Sequence, residues 1–381
     1  MRSMMIQAIL CGIFLSAGVA DGVAQDTGPL LQRIKSVGKE GAGNIEAAKA
    51  WKDLVAQGPT VLPDVLGAMD DASPTAINWL RAAVEAIQDK ASAQGQKVSA
   101  DKLESFIKET RHAGKSRRLA YECLVRLDPS TPERLLPKLL DDPSSELRRD
   151  AVAVKLERGL KGTFATSAAR TEFLKDLLQH ARDRDQVNSI SDELKKLGVE
   201  IDLTAHYGFV TRWLLVGPFD NSRGVGFSNV YPPEKGVDPK ASYAGKAGET
   251  VRWRDHTTAR PLGLVDLNEV VGKLHGTVVY GYTAVTSESE RPIELRAASN
   301  NAVRIWLNGK EIYFREEYHH GMEIDQHVGK GILKAGRNEI LIKVCQNEQT
   351  DSWAQQWSFQ LRICDALGAA VPVVNVTEKV K

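Results

Sequence analysis

What this chain of 381 residues lacks narrows its function first. An excess of either charge is absent: 50 Lys and Arg stand against 49 Asp and Glu, so no global field grips a polyanion, and nucleic-acid or anionic-membrane binding would have to rest on a local patch. Cysteine is scarce. Of four, Cys11 falls in the N-terminal apolar run, and Cys123, Cys345 and Cys364 form an odd set that builds no disulfide framework. Cys345 and Cys364 are read as lying on neighbouring antiparallel strands, in a register that keeps their sulfurs apart, so three free thiols are expected. No later run is long and apolar enough to span a bilayer. G-x-S-x-G, H-E-x-x-H, the P-loop and the dinucleotide fingerprint are all missing, which makes a non-catalytic protein the expectation. A carboxylate pair for glycoside hydrolysis can always be chosen from 49 acids, so their presence decides nothing.

The first residues, MRSMMIQAILCGIFLSAGVADGVAQD, run from a basic residue through an apolar stretch, Met4 to Ala20, to small residues at Ala20 and Ala24. That order is a secretory signal peptide over residues 1–24, with cleavage after Ala24 or, alternatively, Ala20. Cys11 follows Leu10 rather than a small residue, which argues against a lipoprotein site. A secreted or periplasmic location follows.

Beyond it the text has two periods. From Pro29 to Leu197 apolar residues recur at helical spacing between breaks of Gly, Pro, Asp or Ser, giving ten helices that pair along the chain. After His206 the period becomes 2, with aromatic and β-branched runs at 211–216, 251–254, 277–286, 292–298, 303–307, 311–314, 326–333, 339–345 and 357–363, and a weaker run at 371–376. Strands this frequent, without helices between them, imply an antiparallel sandwich or jelly roll. The expected organisation is a helical domain over 27–198, a linker over 199–210 and a β-sandwich domain over 211–381: a multidomain α plus β protein.

Three helices share a core string, LRAAVEAI from Leu80, RRLAYECLVRL from Arg117 and LRRDAVAVKLERG from Leu147, aligned on Ala82, Ala120 and Ala151. Units of this kind bury their apolar stripes only by stacking. The third, DDPSSELRRDAVAVKL, resembles HEAT repeats, with Asp and Pro in a turn before a helix that carries Arg near its start. The resemblance implies a HEAT-like helical repeat array with a face for protein partners.

In the second half, the stretch from Trp213 to Trp253, WLLVGPFDNSRGVGFSNVYPPEKGVDPKASYAGKAGETVRW, is similar to a segment of secreted bacterial proteins that precedes a galactose-binding-like sandwich. ELRAASNNAVRIWLNGKEIYF, followed by DQHVGKGILKAGRNEILIKV, resembles the sugar-binding jelly roll of family 2 glycoside hydrolases on Leu307, Asn308, Gly309, Gly336 and Asn338. The resemblance implies the fold. In those hydrolases this domain often supports a catalytic barrel that this chain lacks.

Asn308-Gly309 between two β-rich runs marks a two-residue hairpin. Its expected register sets Leu307 against Lys310, Trp306 against Glu311, Ile305 against Ile312 and Arg304 against Tyr313. Val303, Ile305, Leu307, Ile312 and Phe314 then share the core face, and Arg304, Trp306, Glu311 and Tyr313 the other. Those four, with Trp353 and Gln355 beside Gln356 in the loop before Trp357, supply the aromatic and planar polar groups that sugar recognition needs. The alternative, which this face favours, is that Trp306 is packed beneath a loop or against the helical domain. The segment Glu316 to His327 gathers histidines and acids; His319, His320 or His327 with Asp325 are zinc-type ligands, but no metal spacing recurs and a solvated loop is expected. Asp220, Asn221, Asp238 and Asp255 offer oxygens for a structural calcium, without a diagnostic spacing, and no other cofactor is implied. The function expected is recognition of a carbohydrate or protein ligand by an exported non-catalytic protein. The alternatives are a glycoside hydrolase or an accessory subunit of one, and a purely structural scaffold.

Overall fold

The computed structural model describes residues 26–380; the signal peptide, its cleavage positions Ala20 and Ala24, and Cys11 lie outside the described residues. The chain is α plus β, helical first and antiparallel-sheet-rich after, and forms two compact units that divide between Leu135 and Leu136.

The first unit holds helices α1 (Thr27–Lys35), α2 (Asn44–Ala56), α3 (Leu62–Gly67), α4 (Pro74–Ala93), α5 (Ala100–Lys108), α6 (Gly114–Leu127) and α7 (Thr131–Leu135). Three of their starts are written in the sequence as capping residues. Asp26, Ser73 and Ser99 each accept a hydrogen bond from a first-turn amide, satisfying a donor that the helix cannot. α4 buries Leu80, Ala83, Val84 and Ile87, and α6 buries Leu119, Ala120, Cys123 and Leu124. The small buried residue of α4 is therefore Ala83, one position beyond the Ala82 on which the repeat was aligned, because Ala82 faces solvent.

The second unit opens with α8 (Ser145–Lys161), α9 (Ser167–His180), α10 (Arg184–Lys196) and α11 (Leu203–Tyr207). Segment 199–210, expected as a linker, carries α11, and its Tyr207 and Phe209 are buried in one cluster with Val152, Leu174, Leu177, Val187, Ile190 and Leu194. Leu262 and Ile324 pack on the same cluster, so these helices and the sheets share a core.

Two antiparallel sheets follow. The smaller has the order β10 (His327–Leu333), β7 (Arg291–Ser299), β12 (Ser358–Cys364), β5 (Val265–Asp266). The larger runs β4 (Arg254–Thr257), β1 (Arg212–Asp220), β6 (Thr277–Ser287), β11 (Gly336–Gln346), β8 (Ala302–Leu307), β9 (Lys310–Arg315), with β13 (Val374–Asn375) also on β6. A short pair, β2 (Ser242–Ala244) and β3 (Thr250–Arg252), stands apart. Between the two main sheets lies one apolar core that includes Trp213, Val279, Ile305, Ile342, Leu295, Trp357 and Phe359.

Cys345 and Cys364 lie on strands of different sheets, not on neighbours as expected, because β11 pairs with β6 and β8 whereas β12 pairs with β7 and β5. Cys123, Cys345 and Cys364 are all buried and free.

The motif residues of the hairpin explain themselves as architecture. Asn308 and Gly309 adopt the positive φ values, 52° and 79°, that this turn demands. Asn308 Nδ2 donates to Asn338 Oδ1 at 2.9 Å, and Asn338 in turn ties down Lys334 and Gly336. Leu-Asn-Gly and Gly-Arg-Asn are thus two halves of one clasp between neighbouring turns.

Candidate ligand-binding site

The hairpin face proposed from sequence is mostly spent on packing. Leu307 opposes Lys310 and Trp306 opposes Glu311 as expected, but a bulge then shifts the register, so Ile305 opposes Tyr313 and Arg304 opposes Phe314. The extra residue is Ile312. Tyr313 consequently packs on the inter-sheet core, and Phe314 emerges, 62% exposed, beside Arg304.

Trp306 is 8% exposed, because the connection from β1 to β4 folds across the outer face of the larger sheet. That cap includes α12 (Val225–Ser228) and α13 (Pro232–Lys235) and contributes Phe227, Tyr231, Val237, Tyr243, Val251 and Trp253 to a second core. Arg304 pairs with Glu311 at 2.6 Å, donates to Phe227 O at 3.1 Å and lies against the rings of Phe227, Trp306 and Phe314. Its Nε and Nη1 are thereby committed to protein partners. Beneath the cap, Lys343 is wholly buried and donates to Phe227 O, Asn229 O and Glu234 Oε1 at 3.1, 2.8 and 2.8 Å. Tyr280 donates to the same Glu234 oxygen. Three hydrogen bonds and a counter-ion make this buried ammonium tolerable, and they pin the cap.

Trp353 is different. Its indole is 62% exposed on a short helical turn, Ser352–Ala354, whose floor is fixed: Ala354 is buried and accepts from Gln346 Nε2 at 3.3 Å, and Asn268 Nδ2 donates to Gln355 O at 2.8 Å. Gln355 is turned back on its own loop, donating to Asp351 O at 2.9 Å, so it braces the turn.

This turn belongs to one end of the sandwich, where segments 221–224, 275–276, 299–301, 316–326 and 347–357 converge. Asn221 N donates to Gly276 O at 2.8 Å, and Gly276 N to Asn347 O at 2.7 Å. Asn301 binds His319 N through Oδ1 at 3.2 Å and Gln356 O through Nδ2 at 2.8 Å. His319, held at φ 55°, stands edge-on to the Trp353 ring at 5.6 Å, and its Nε2 is 2.5 Å from Asn347 Oδ1. An amide oxygen only accepts, so Nε2 is the donor in this contact. Asn347 Nδ2 reaches Gln349 Oε1 at 3.0 Å. A non-glycine residue in the left-handed region is a strained conformation, retained here where loops meet.

The arrangement is an exposed indole flanked by an imidazole and planar amides, the chemistry that stacks on a pyranose C–H face and orients its hydroxyls. Of the sequence candidates for a sugar site, only Trp353 and Gln355 lie at this end. Asn347 and Gln349, in the same loop, were missed, while His319 was singled out only as a zinc-type ligand and Asn221 only as a calcium ligand; the His319 contact with this loop spans a separation that no periodicity reports.

The Glu316–His327 segment is less solvated than expected. His327 is 2% exposed, its Nδ1 3.0 Å from the Tyr313 hydroxyl, and Asp325 receives Arg362 twice at 2.6 Å and Arg296 at 2.8 Å. The calcium candidates do not come together. Asp255 pairs with Leu214 on β1, six residues from Asp220, on the order of 20 Å along a strand. Asp238 accepts from Lys240 N in its own loop, and Asn221 donates to Tyr318 and Gln346. Among the described residues no group of three or more His, Cys, Asp or Glu side chains is placed to hold a metal ion.

Among carboxylates with a displaced pKa the displacement is downward: Ser222 lowers Asp220, Arg315 lowers Glu317, and Arg362 and Arg296 outweigh burial at Asp325.

No family model and no curated protein matches the chain. Among solved structures, an anti-sigma factor domain-containing protein from Clostridium clariflavum is 15% identical over 45% of this chain and 49% of that one, at a TM-score of 0.26. A PA14 sugar-binding domain from an RTX adhesin is 12% identical over 44% and 96%, at 0.22. A beta-glucosidase from Kluyveromyces marxianus in complex with glucose is 9% identical over 76% and 36%, at 0.27. The chain spans about half the length of the anti-sigma factor domain-containing proteins it matches. Likeness at these scores carries no argument about function.

Proposed function

We propose that this is an exported, non-catalytic recognition protein whose sandwich binds carbohydrate at the loop end around Trp353, with a HEAT-like helical array as its first part. The observation that carries the reading is an indole 62% exposed on a turn anchored from below. A large aromatic left in water on a rigid turn gains by stacking on a ligand and loses little entropy in doing so. The non-catalytic part of the reading rests on the sequence, in which none of the common nucleophile motifs occurs. Export rests on the N-terminal pattern of a basic residue, an apolar run and small residues.

A second reading places recognition on the helices. A groove of about 940 Å³ lies in the first unit among α1, α3 and α5, lined by Leu31, Pro63, Asp64, Asp101, Phe106 and His112 among others. The two readings separate on a glycan array with the whole chain, followed by calorimetry on any glycan retained. Trp353→Ala should abolish glycan binding and leave the thermal midpoint in place. Retained binding in Trp353→Ala, or no glycan bound by the parent chain, would reject the sandwich site and leave the groove as the surface to test.

A further inference from the structure

Three guanidinium groups meet where α8 to α11 pack on the outer face of the smaller sheet. Arg362, 3% exposed on β12, is satisfied: besides the Asp325 carboxylate it has the carbonyls of Tyr207 at 3.1 Å and Gly368 at 3.0 Å. Arg148, 6% exposed on α8, donates to Asp142 O at 2.7 Å and to Leu367 O at 3.4 Å, and its buried Nε has no partner. Leu367 and Gly368 are consecutive, so Arg148 and Arg362 grip adjacent carbonyls of one turn. Arg182, half-buried just past the end of α9, donates to the carbonyls of Gln179 and Ala181, and its Nε is likewise buried without a partner. The Tyr207 hydroxyl, whose ring lies 5.6 Å from the Arg362 guanidinium, is a third buried polar atom with nothing to bond.

Asp183, Asp142, Asp365 and Asp141 lie within electrostatic reach of Arg148, but Asp183 pairs with Arg149 at 3.3 Å, Asp141 Oδ1 lies 2.8 Å from His180 Nδ1 and Asp142 Oδ1 accepts from Ser144 N at 2.8 Å. Asp325 serves Arg296 and Arg362, and Asp365 Oδ1 accepts from Leu367 N and Ala369 N at 2.9 Å each. Among the described residues no carboxylate is within ion-pair distance of Arg148 or Arg182. A guanidinium stays charged at any working pH, so a buried one whose hydrogen bonds go only to carbonyls has its charge answered only from a distance, by these aspartates. Burial lowers the pKa of both, and at Arg182 the neighbouring Arg148 and Arg362 lower it further, which places the three within electrostatic reach of one another. Arg182 and the half-buried His206 leave the junction open on its solvent side.

We propose that this junction binds a tetrahedral oxyanion, phosphate or sulfate, free or carried as a phosphoryl or sulfo group, between Arg148, Arg182 and His206 with the Tyr207 hydroxyl as a further donor. Guanidinium forks match the oxygens of such an anion, and a charged acceptor answers unpaired donors and surplus charge together.

The test is a series of thermal melts of the whole chain in inorganic phosphate, inorganic sulfate or glucose 6-phosphate, each against chloride at matched ionic strength, with calorimetry on the same ligands. A saturable rise in the midpoint is expected. In Arg182→Met the apparent affinity should fall at least tenfold, and Arg182→Lys should recover part of it. A response to glucose 6-phosphate alone assigns the site to a carried group; a response to the inorganic ions assigns it to the free anion. An equal shift in the parent and Arg182→Met is a general salt effect and overturns the site. If Arg182→Met melts far below the parent in chloride, calorimetry on the parent decides, and no saturable heat with any of the three ligands would overturn the proposal.

Discussion

His327 is a histidine kept neutral by its surroundings. Burial, then the neighbouring His320 and Arg315, hold its pKa down at about 4, against about 6.5 for a free imidazole. The unfolded chain therefore binds a proton that the folded chain refuses. Stability from this group is complete above pH 6.5 and is lost as the pH falls from 6.5 towards 4, by about 3 kcal/mol across the window. His206 and His256, whose pKa values burial also lowers, add to the loss with the same sign. Urea unfolding at pH 7, 5.5 and 4.5 should show this decline, and His327→Gln should flatten it while keeping a polar partner for Tyr313. A slope unchanged in His327→Gln would mean that the imidazole is solvated and titrates normally. By sequence His327 falls both in the β run 326–333 and in the charged segment 316–327 expected as a solvated loop; in the structure it opens β10 and its Nδ1 meets Tyr313, which a bulge swings onto the core side.

That bulge shows what an element's sequence does and does not specify. The turn at Asn308-Gly309 was legible because only residues tolerant of positive φ fit it. One inserted residue, Ile312, then exchanges the faces of everything after it, and alternation alone cannot see this. The glycines of β10 accommodate the result. A Cβ at Gly329 would meet Ile312 at 2.9 Å, and one at Gly331 would meet Leu307 at 2.6 Å, so the edge strand can close over the bulge only without side chains there. The cap was illegible for another reason: Trp306 and Trp353 look alike as sequence, and only a segment some eighty residues upstream decides that one is covered. A trace existed in β11, where Leu341 and Cys345 make the outer face partly apolar on either side of Lys343, and a strand with apolar residues on both faces tends to be buried on both. Trp306→Ala should then empty a filled site and cost about 3 to 5 kcal/mol, with the cap loosened. Trp353→Ala, on the exposed turn, should stay within about 0.5 kcal/mol. Denaturant melts of the two variants side by side measure both, and a near-neutral Trp306→Ala would mean that the cap does not hold that face closed.

For the whole molecule, the change from period 3.6 to period 2 was visible near residue 200 and placed the helices and strands well. It says nothing about which elements share a core. α8 to α11 read as a continuation of the helical array, yet their buried Val152, Leu177 and Ile190 share a cluster with Phe209, and Leu262 and Ile324 from the sheet half close it. Phe209 also bridges to Arg362, whose guanidinium holds Tyr207 O, so the helices reach the smaller sheet through backbone as well as side chains. These contacts are long-range in sequence and leave no local mark, whereas the starts of α1, α4, α5, α8, α9 and α11 are announced by capping residues of their own. A chain of residues 136–380 should accordingly melt in one cooperative transition, because it keeps this shared core intact. A chain of residues 204–380 keeps every strand but strips the cover from Phe209, Leu262 and Ile324. At about 1.5 to 3 kcal/mol for each large apolar side chain returned to water, it should lose roughly 5 kcal/mol and tend to self-associate. Thermal melts with light scattering on the two chains distinguish the cases. Equal midpoints and a monomeric 204–380 would show that the sandwich stands without α8 to α10, and that the shared cluster contributes little to its stability.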